Sequence, residues 1–255
     1  MATIASLYQL RVFSLHDLIN HLGMTRSAAS GALARWQEQG IVKMVRRNLY
    51  VAIDLATGTP IADKYELASC ISTASYVGWH TALEFHGFAH QPFYNAFVAN
   101  GKRFSKFRFE DVDYEYCAMP FDDTENNGII SPNANMYVRV TDIERTIVDC
   151  SDKIDRAGGA EELLHCINSI TMLNESKLIK YLALYDKAFL YQKVGYILEQ
   201  SLHSQNISND FIKMCLSRGA IHTKRLTSND LSNHYVSKWK LYVPQIFSTN
   251  NYELI

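Results

Sequence analysis

Long apolar segments and paired cysteines are both missing from this sequence of 255 residues. No apolar run approaches about 18 residues, and the first residues lack the basic-then-apolar order of a signal peptide, so we expect no membrane span and a cytoplasmic protein. The five cysteines are scattered and form no Cys-x-x-Cys pair. This spacing argues against a disulfide framework and against a zinc site, and it favours free thiols in a reducing compartment.

The sequence also has little net charge, −1 at neutral pH, so the chain as a whole gives no sign of an anionic partner. The charge is nevertheless unevenly distributed. Residues 1–53 contain six arginines and lysines against two acidic residues, which gives this segment +4 and leaves −5 for the rest of the chain. A basic N-terminal segment on an acidic body predicts an anionic partner at the N-terminus only.

Two short helices joined by a tight turn are predicted within the basic segment. Ser14 is a suitable N-cap for a helix that ends at Gly23, and Thr25 for a second helix that stops at Gly40. On a helical wheel, the second helix has a packing face (Ala28, Ala29, Ala32, Leu33, Trp36) and an opposite face of mostly small residues (Ser27, Ser30, Gly31, Ala34, Gln37). This pattern is typical of a helix-turn-helix, because a thin recognition helix fits closely into a DNA major groove about 12 Å wide.

A β-hairpin is predicted directly after that helix. The short apolar runs IVKMV and LYVAI are separated by Arg46, Arg47 and Asn48, and asparagine tolerates the positive φ that such a turn requires. A basic hairpin after a recognition helix indicates a winged helix, although winged helices also serve as protein-interaction modules. The residues predicted to contact DNA are Arg26, Ser27, Ser30, Arg35, Lys43, Arg46, Arg47 and Asn48.

The sequence as a whole predicts an α+β protein with two domains. Residues 1–55 are the winged helix-turn-helix domain, and residues 56–255 form a second domain, mixed α/β over 56–150 and mostly helical over 151–255. The predicted strands after the first domain lie at 95–99, 106–110, 112–119 and 136–140. A helix is predicted to follow, with Thr141 as N-cap and Glu144 at the spacing of a capping box.

Motifs of enzymes are incomplete in this sequence. His86 and His90 are four residues apart, but a glycine between them breaks the helix that would align them as metal ligands. Asp111 and Asp113 form an acidic pair without the Gly-Ser that precedes such a pair in a nucleotidyltransferase. Residues 100–106 contain Gly-Lys without the other parts of a P-loop. We therefore expect no catalytic residue, no metal site and no cofactor.

Two segments resemble a known family. YVGWHTALEFHG (76–87) is similar to the Tyr-x-Gly/Ser…Ala-Leu-x-x-His-Gly segment of the AbiEi-type antitoxins, and VTDIERTIVDC (140–150) is similar to their Val-Thr-Asp-x-Glu-Arg-Thr-x-x-Asp segment. The order of elements also matches over roughly residues 5–220. The hairpin departs from the pattern, since the family has Arg-Gly-x-Tyr where this chain has Arg47-Asn48-Leu49-Tyr50. Asparagine can take the same backbone conformation.

The resemblance implies a function. Proteins of this family are antitoxins of type IV toxin–antitoxin pairs associated with abortive phage infection. Their winged helix binds operator DNA and represses their own operon, and their C-terminal domain counteracts a nucleotidyltransferase-like toxin, without the need for a stable complex. Glu144 and Arg145 are expected to point partly outward, either to pair with other segments or to form part of an antitoxin surface. The alternative is a phage-defence enzyme or interaction protein that uses its winged helix only for localisation or protein contact.

Overall fold

The computed structural model describes residues 4–121, 125, 127–132, 137–201, 206–227 and 233–247. The chain is an α+β protein with several sheets, as predicted. Its helices in the described residues are α1 (Ile4–Leu10), α2 (Leu15–Leu22), α3 (Arg26–Glu38), α4 (Lys64–Ser69), α5 (Trp79–Phe85), α6 (Ile143–Asp152), α7 (Ala160–Asn168), α8 (Glu175–Tyr185), α9 (Ala188–Gln200) and α10 (Asn209–Arg218). The strands are β1 (Val12–Phe13), β2 (Val42–Arg46), β3 (Leu49–Ala52), β4 (Tyr76–Val77), β5 (Asn95–Asn100), β6 (Phe107–Phe109), β7 (Val112–Ala118), β8 (Ile129–Ile130), β9 (Val140–Thr141), β10 (Lys224–Arg225), β11 (Asn233–Val236) and β12 (Leu241–Pro244).

The chain divides into two compact units, and both are discontinuous in sequence. The first unit comprises residues 1–77, 94–118 and 131–140, and the second comprises 78–93, 119–130 and 141–255. The boundary predicted after residue 55 therefore lies inside the first unit. Within the described residues, no helix combines the length and the apolar content needed to cross a membrane.

The N-terminal part of the first unit contains three helices and a three-stranded antiparallel sheet in the order β1-β3-β2. Their apolar side chains share one core, formed by Leu7, Phe13, Leu18, Ala29, Leu33, Ile41, Val42 and Ala52. Only three residues, 23–25, separate α2 from α3. The short connection and the common core fix the direction of α3 relative to the sheet.

Local sequence signals account for the ends of these elements. Ser14 forms a capping box with Asp17, and Gly23 ends α2 in the left-handed conformation. Thr25 caps α3, where its Oγ1 accepts a hydrogen bond from the backbone N–H of Ala28. Asn48 takes a φ of 60° between β2 and β3. The predicted N-caps at Ser14 and Thr25, the helix end at Gly23 and the turn at Asn48 are thereby confirmed.

The remainder of the first unit is built around the longer strands. Strands β6, β7, β5, β4 and β9 lie side by side in that order, and β5 and β7 are parallel over six residues. The predicted strand 112–119 is confirmed as β7. Strand 136–140 is present only at its last residue, where Val140 pairs with Val77, and residue 136 lies outside the described residues.

The second unit is mainly helical, but its last part adds a small sheet in the order β10-β12-β11 that the sequence did not predict. Residues 144–151 of α6 and 190–198 of α9 are all buried, so both helices are surrounded by other parts of the chain. The N-cap of α6 is Asp142 and not Thr141. The Asp142 carboxylate accepts the N–H of Arg145, whereas the Thr141 hydroxyl bonds to that of Thr146, which corrects the predicted capping box.

Two helical glycines offer a matched test of packing in the two units. A Cβ at Gly195 in α9 would lie 2.7 Å from the Cβ of Cys215 and against the Trp239 ring, whereas a Cβ at Gly31 in α3 would meet no atom within 4 Å. Gly195→Ala is therefore expected to lower the free energy of unfolding by about 1–3 kcal/mol, because the core is overpacked. Gly31→Ala is expected to raise it by up to about 1 kcal/mol through helix propensity. Urea unfolding of both variants checks this, and equal effects would contradict the packing around Gly195.

Candidate nucleic-acid interface

The outward face of α3 is thin and flanked by arginines. Ala29, Ala32 and Leu33 are buried against the rest of the N-terminal core. The exposed residues of the opposite face include Arg26, Ser27, Ser30, Gly31, Ala34 and Arg35. Ala28 was predicted in the packing face but is exposed, since it lies at the first turn, where α3 extends beyond its neighbours. A rigid partner can thus approach the backbone of α3 along this face.

The hairpin between β2 and β3 is held in place by its own side chains. Arg47 and Asn48 are exposed at the tip. The Asn48 Oδ1 accepts a hydrogen bond of 3.2 Å from the backbone N–H of Leu15, at the start of α2. Asn48 therefore orients the tip with both its backbone and its side chain, so the predicted DNA contact competes with a structural role.

Two of the predicted DNA-contacting cations already have partners inside the first unit. The Arg46 guanidinium packs against a pair of aromatic rings, 5.2 Å from the centre of Phe104 and 5.1 Å from that of Phe107. The Lys43 ammonium is 2.8 Å from a Glu110 carboxylate oxygen in an exposed pair. Cation–π contacts of this kind contribute about 0.5–2 kcal/mol, and an exposed ion pair at most about 1 kcal/mol. Lys43 can thus exchange partners more cheaply than Arg46.

A cleft of about 820 Å³ lies beside the hairpin tip, within the first unit. Its lining includes Arg46 and Arg47 from the hairpin and Lys102 and Arg103 from the loop after β5, the last two exposed. Sequence reasoning treated this loop only as an incomplete P-loop and missed its cations. The adjacent pair Lys102-Arg103 was the available signal, but the sequence does not reveal that the loop lies next to the hairpin.

One carboxylate of the same cleft, that of Glu66, is paired with an arginine. Glu66 lines the cleft, and both of its oxygens accept from the Arg11 Nε, at 2.9 and 3.0 Å. Arg11 is consequently occupied by an internal pair and does not belong to the exposed basic surface. The exposed cations of this region include Arg26, Arg35 and Arg47 with Lys102 and Arg103.

The prediction that Glu144 and Arg145 face outward is wrong. Glu144 is 5% exposed and Arg145 is 0% exposed, because α6 is covered on all sides within the second unit. The Arg145 guanidinium lies 4.7 Å from the centre of the Phe121 ring and donates to the backbone carbonyl of Asn127. The Glu144 carboxylate accepts from the backbone N–H of Asn174 at 2.9 Å. Neither side chain can form part of an antitoxin surface.

The two segments that resemble the antitoxin family have the same local structure. In each, a two-residue strand is followed by a helix, β4 by α5 and β9 by α6. The strands pair in parallel at Val77 and Val140, and the Val77 N–H donates to the Arg139 carbonyl at 2.8 Å. The sequence predicted neither this pairing nor its register.

The candidate enzyme residues that the sequence analysis rejected have structural partners. The His86 Nε2–H donates to the Thr141 carbonyl at 2.7 Å, which fixes its tautomer. Asp113 pairs with Lys106 at 3.1 Å, whereas Asp111 is 3.7 Å from Arg108. The two aspartates therefore do not share a partner.

A buried group of His80, Glu162 and Cys166 in the second unit was missed by sequence reasoning. The Glu162 Oε1 accepts from His80 Nε2 at 3.1 Å and from Cys166 Sγ at 3.4 Å. Burial raises the pKa of the Cys166 thiol to about 12, and Glu162 adds to this shift. Burial also tends to raise the pKa of Glu162, but hydrogen bonds from His80 and from two backbone N–H groups hold it below its usual value.

Comparison with known proteins gives a fold likeness and no family. No protein-family model matches the chain, and no curated protein matches it. Among solved structures, the chain is similar to the RV2827C protein from Mycobacterium tuberculosis, with a TM-score of 0.65 and 12% sequence identity over 94% of this chain and 89% of that chain. At this identity the likeness shows a shared α+β fold and carries no function across.

Proposed function

We propose that residues 1–55 form a winged helix-turn-helix that binds double-stranded operator DNA, with α3 in the major groove and the β2–β3 hairpin as the wing. The observation that carries this proposal is the thin, exposed face of α3 with an arginine near each end. A major groove about 12 Å wide admits a helix most closely where its side chains are small. Ser27 and Ser30 are then within reach of base edges.

In the proposed complex, the arginines contact different parts of the DNA, some the bases and others the phosphates. Arg26, at the first position of α3, is suited to a guanine edge, since recognition helices contact bases mainly through their N-terminal residues. Arg35, about two and a half turns further along, is suited to a phosphate. Arg47 at the hairpin tip would contact the flanking backbone or minor groove. Because Arg46 packs against Phe104 and Phe107, its role in this proposal is to fix the wing and not to contact DNA.

The proposed DNA-binding surface also includes the loop after β5. Lys102 and Arg103 line the same cleft as Arg47, so phosphates that pass the wing would meet three cations. Replacing both Lys102 and Arg103 with alanine is expected to weaken binding roughly tenfold for any sequence and to reduce the salt slope by about 1.8, two phosphate contacts at about 0.9 each. Fluorescence anisotropy at several salt concentrations measures both.

The matched control for this variant removes two exposed lysines from helices of the second unit. Lys180→Ala with Lys213→Ala lowers the net charge of the protein by the same amount, and both positions are exposed. We expect it to leave affinity and salt slope unchanged. If both double variants weaken binding equally, the effect is one of net charge, and the loop does not contact DNA.

A direct binding experiment tests the proposed function itself. The full-length protein is titrated onto the DNA upstream of its own gene and onto a shuffled duplex of equal length. We expect a preference for the upstream DNA and, with about four neutralised phosphates, a slope of log K against log salt of about −3.6. Arg47→Ala should weaken binding about tenfold. An absence of binding to the upstream DNA at low salt would favour the alternative of a protein-interaction module.

We further propose that the protein is a non-enzymatic antitoxin that represses its own operon and counteracts a nucleotidyltransferase-like toxin. This part of the proposal rests on the resemblance of residues 76–87 and 140–150 to AbiEi-type antitoxins. The alternative is an enzyme of phage defence. A neighbouring reading frame for such a toxin would support the antitoxin over the enzyme.

Co-expression with the neighbouring toxin tests the antitoxin role. Because residues 94–118 and 131–140 belong to the first unit, removing residues 1–55 would cut through that unit. A full-length protein with a substitution that abolishes DNA binding is therefore the better reagent. We expect it to restore growth as the unmodified protein does while repression is lost. Loss of both would place the two functions in one region of the chain.

A further inference from the structure

We propose that His80, Glu162 and Cys166 form a binding site for a divalent late transition metal, zinc in the first place, with His90 as the fourth ligand. The three buried residues are the group of His, Cys, Asp or Glu found in the described residues whose ligand atoms all lie within 4.8 Å of one another. Imidazole, thiolate and carboxylate are the ligands that zinc takes in proteins. The site is independent of the proposed DNA-binding surface, which lies in the first unit.

The spacing of the ligand atoms matches a tetrahedral site. Zinc bonds of about 2.0–2.3 Å at tetrahedral angles place the ligand atoms roughly 3.3–3.8 Å apart. The distance from His80 Nε2 to Glu162 Oε1 is 3.1 Å, and that from Cys166 Sγ to the same oxygen is 3.4 Å. His90 Nδ1 lies 3.7 Å from Glu162 Oε2. The ligand atoms of His80, Glu162 and Cys166 all lie within 4.8 Å of one another, so shifts of up to about 1 Å would bring them to tetrahedral spacing. His90 lies outside that group and would join it by turning its exposed side chain.

The ligands are held by rigid elements. Glu162 and Cys166 are four residues apart on α7 and therefore lie on the same face of that helix. The His80 ring on α5 is stacked on the Phe93 ring at 3.6 Å between ring centres. Such support lowers the entropic cost of assembling the ligands around an ion.

The hydrogen bonds of Glu162 are unevenly shared between its two oxygens. Oε1 accepts from His80 Nε2 and Cys166 Sγ and also from the backbone N–H groups of His90, at 2.9 Å, and Gln91, at 3.2 Å. Oε2 is buried without a hydrogen-bond partner. A carboxylate oxygen has about two lone-pair sites. Oε1 therefore has more donors than it can accept from at full strength, whereas Oε2 accepts no hydrogen bond.

Metal binding resolves this distribution. The thiol proton of Cys166 would leave to solvent, the His80 ring would bind through Nε2 with its proton on Nδ1, and both atoms would then bond the ion in place of Glu162 Oε1. Oε1 would then hold the two backbone N–H donors and the ion in place of its present four donors. No electron transfer is involved, and one proton is released for each ion bound.

His90 supplies access to the site. Its side chain is 52% exposed, whereas that of His80 is 0% exposed and that of Glu162 is 6% exposed. Its ring is stacked on that of His165, with ring centres 4.9 Å apart. An ion can thus enter on the side of His90. By joining α5, the loop that follows it and α7, the ion would stabilise the second unit.

A titration of tag-free, full-length protein with cobalt(II) tests the proposal. We expect one equivalent to bind with the visible d–d bands of a tetrahedral site and the near-ultraviolet charge-transfer band of a thiolate ligand, and zinc to abolish both by displacement. We expect one equivalent of zinc to raise the unfolding temperature. If cobalt gives neither band and zinc does not change the unfolding temperature, the group is a metal-free hydrogen-bond cluster and the proposal is wrong.

Three variants locate the site. Cys166→Ser is expected to remove the charge-transfer band, and the matched control Cys215→Ser, at another buried cysteine of the second unit, to keep it. His90→Ala, at an exposed position, is expected to keep the thiolate band and to weaken cobalt binding at least tenfold. A band that survives in Cys166→Ser, or cobalt affinity unchanged in His90→Ala, would overturn the assigned ligands even if the wild-type protein binds metal.

Discussion

Gly31→Glu is expected to leave the protein folded and to weaken its binding to operator DNA by about 100-fold or more. The position is in the middle of α3, exposed, and a Cβ there would meet no atom within 4 Å. Glutamate is a better helix former than glycine, so the helix should gain up to about 1 kcal/mol. In the proposed complex, however, the new carboxylate lies in the major groove between phosphates, and a like-charge contact of this kind costs several kcal/mol.

Both the stability and the DNA affinity of each variant are measured. Urea unfolding gives the stability of Gly31→Glu, and fluorescence anisotropy gives its affinity for the upstream DNA. Gly31→Ala and Gly31→Gln are the controls, since the first adds one methyl group and the second adds the shape of glutamate without its charge. We expect Gly31→Ala to bind nearly as well as the unmodified protein and Gly31→Gln to lie between the two. A stable Gly31→Glu variant that binds with unchanged affinity would exclude α3 from the groove.

Arg145→Met is expected to lower the free energy of unfolding by about 3–5 kcal/mol, the largest effect on stability predicted for this chain. Arg145 is 0% exposed, and its Nε lies 3.6 Å from the Asp149 Oδ2. Removing the guanidinium leaves that carboxylate buried without its cation, and the Asn127 carbonyl without its donor. The hydrogen bond from the Tyr185 hydroxyl to the Asp149 Oδ1, 2.7 Å long, remains but does not neutralise the charge.

The control for this prediction is Arg108→Met in the first unit. The Arg108 side chain is 62% exposed and its ion pair with Asp111 is 3.7 Å long, so we expect a change within about 1 kcal/mol. Thermal and urea unfolding of both variants give the comparison. If Arg145→Met has the stability of the unmodified protein but no longer restores growth in the toxin assay, Arg145 acts in toxin neutralisation, and its burial is not its main role.

The sequence predicted those parts of the structure that depend on interactions between residues close together in the sequence. The caps at Ser14 and Thr25, the left-handed Gly23 and the turn at Asn48 all follow from interactions within a few positions, so the elements from α2 to β3 could be placed before the structure was known. The thin face of α3 follows in the same way from the helical period.

Contacts over long sequence distances were beyond this kind of reasoning. Arg46 was predicted to contact DNA because it stands at a basic hairpin tip, but its guanidinium packs against Phe104 and Phe107, more than fifty positions later. Glu144 was predicted to lie partly outside the apolar face of its helix, and of the two roles offered for it, pairing with another segment is the one found, since Lys177 of α8 pairs with it. His80 and Glu162 are 82 positions apart, and no local pattern connects them.

The interleaved order of the two units has a consequence for the newly made chain. The first unit cannot close until residues 131–140 have left the ribosome, although its N-terminal helices are made first. At a synthesis rate of about 5–20 residues per second, the interval between residue 55 and residue 140 lasts roughly 4–17 s. During that time the early helices lack the strands that complete their unit. In the proposed DNA complex, the contacts from Lys102 and Arg103 would therefore become available late in translation and not as soon as α3 emerges.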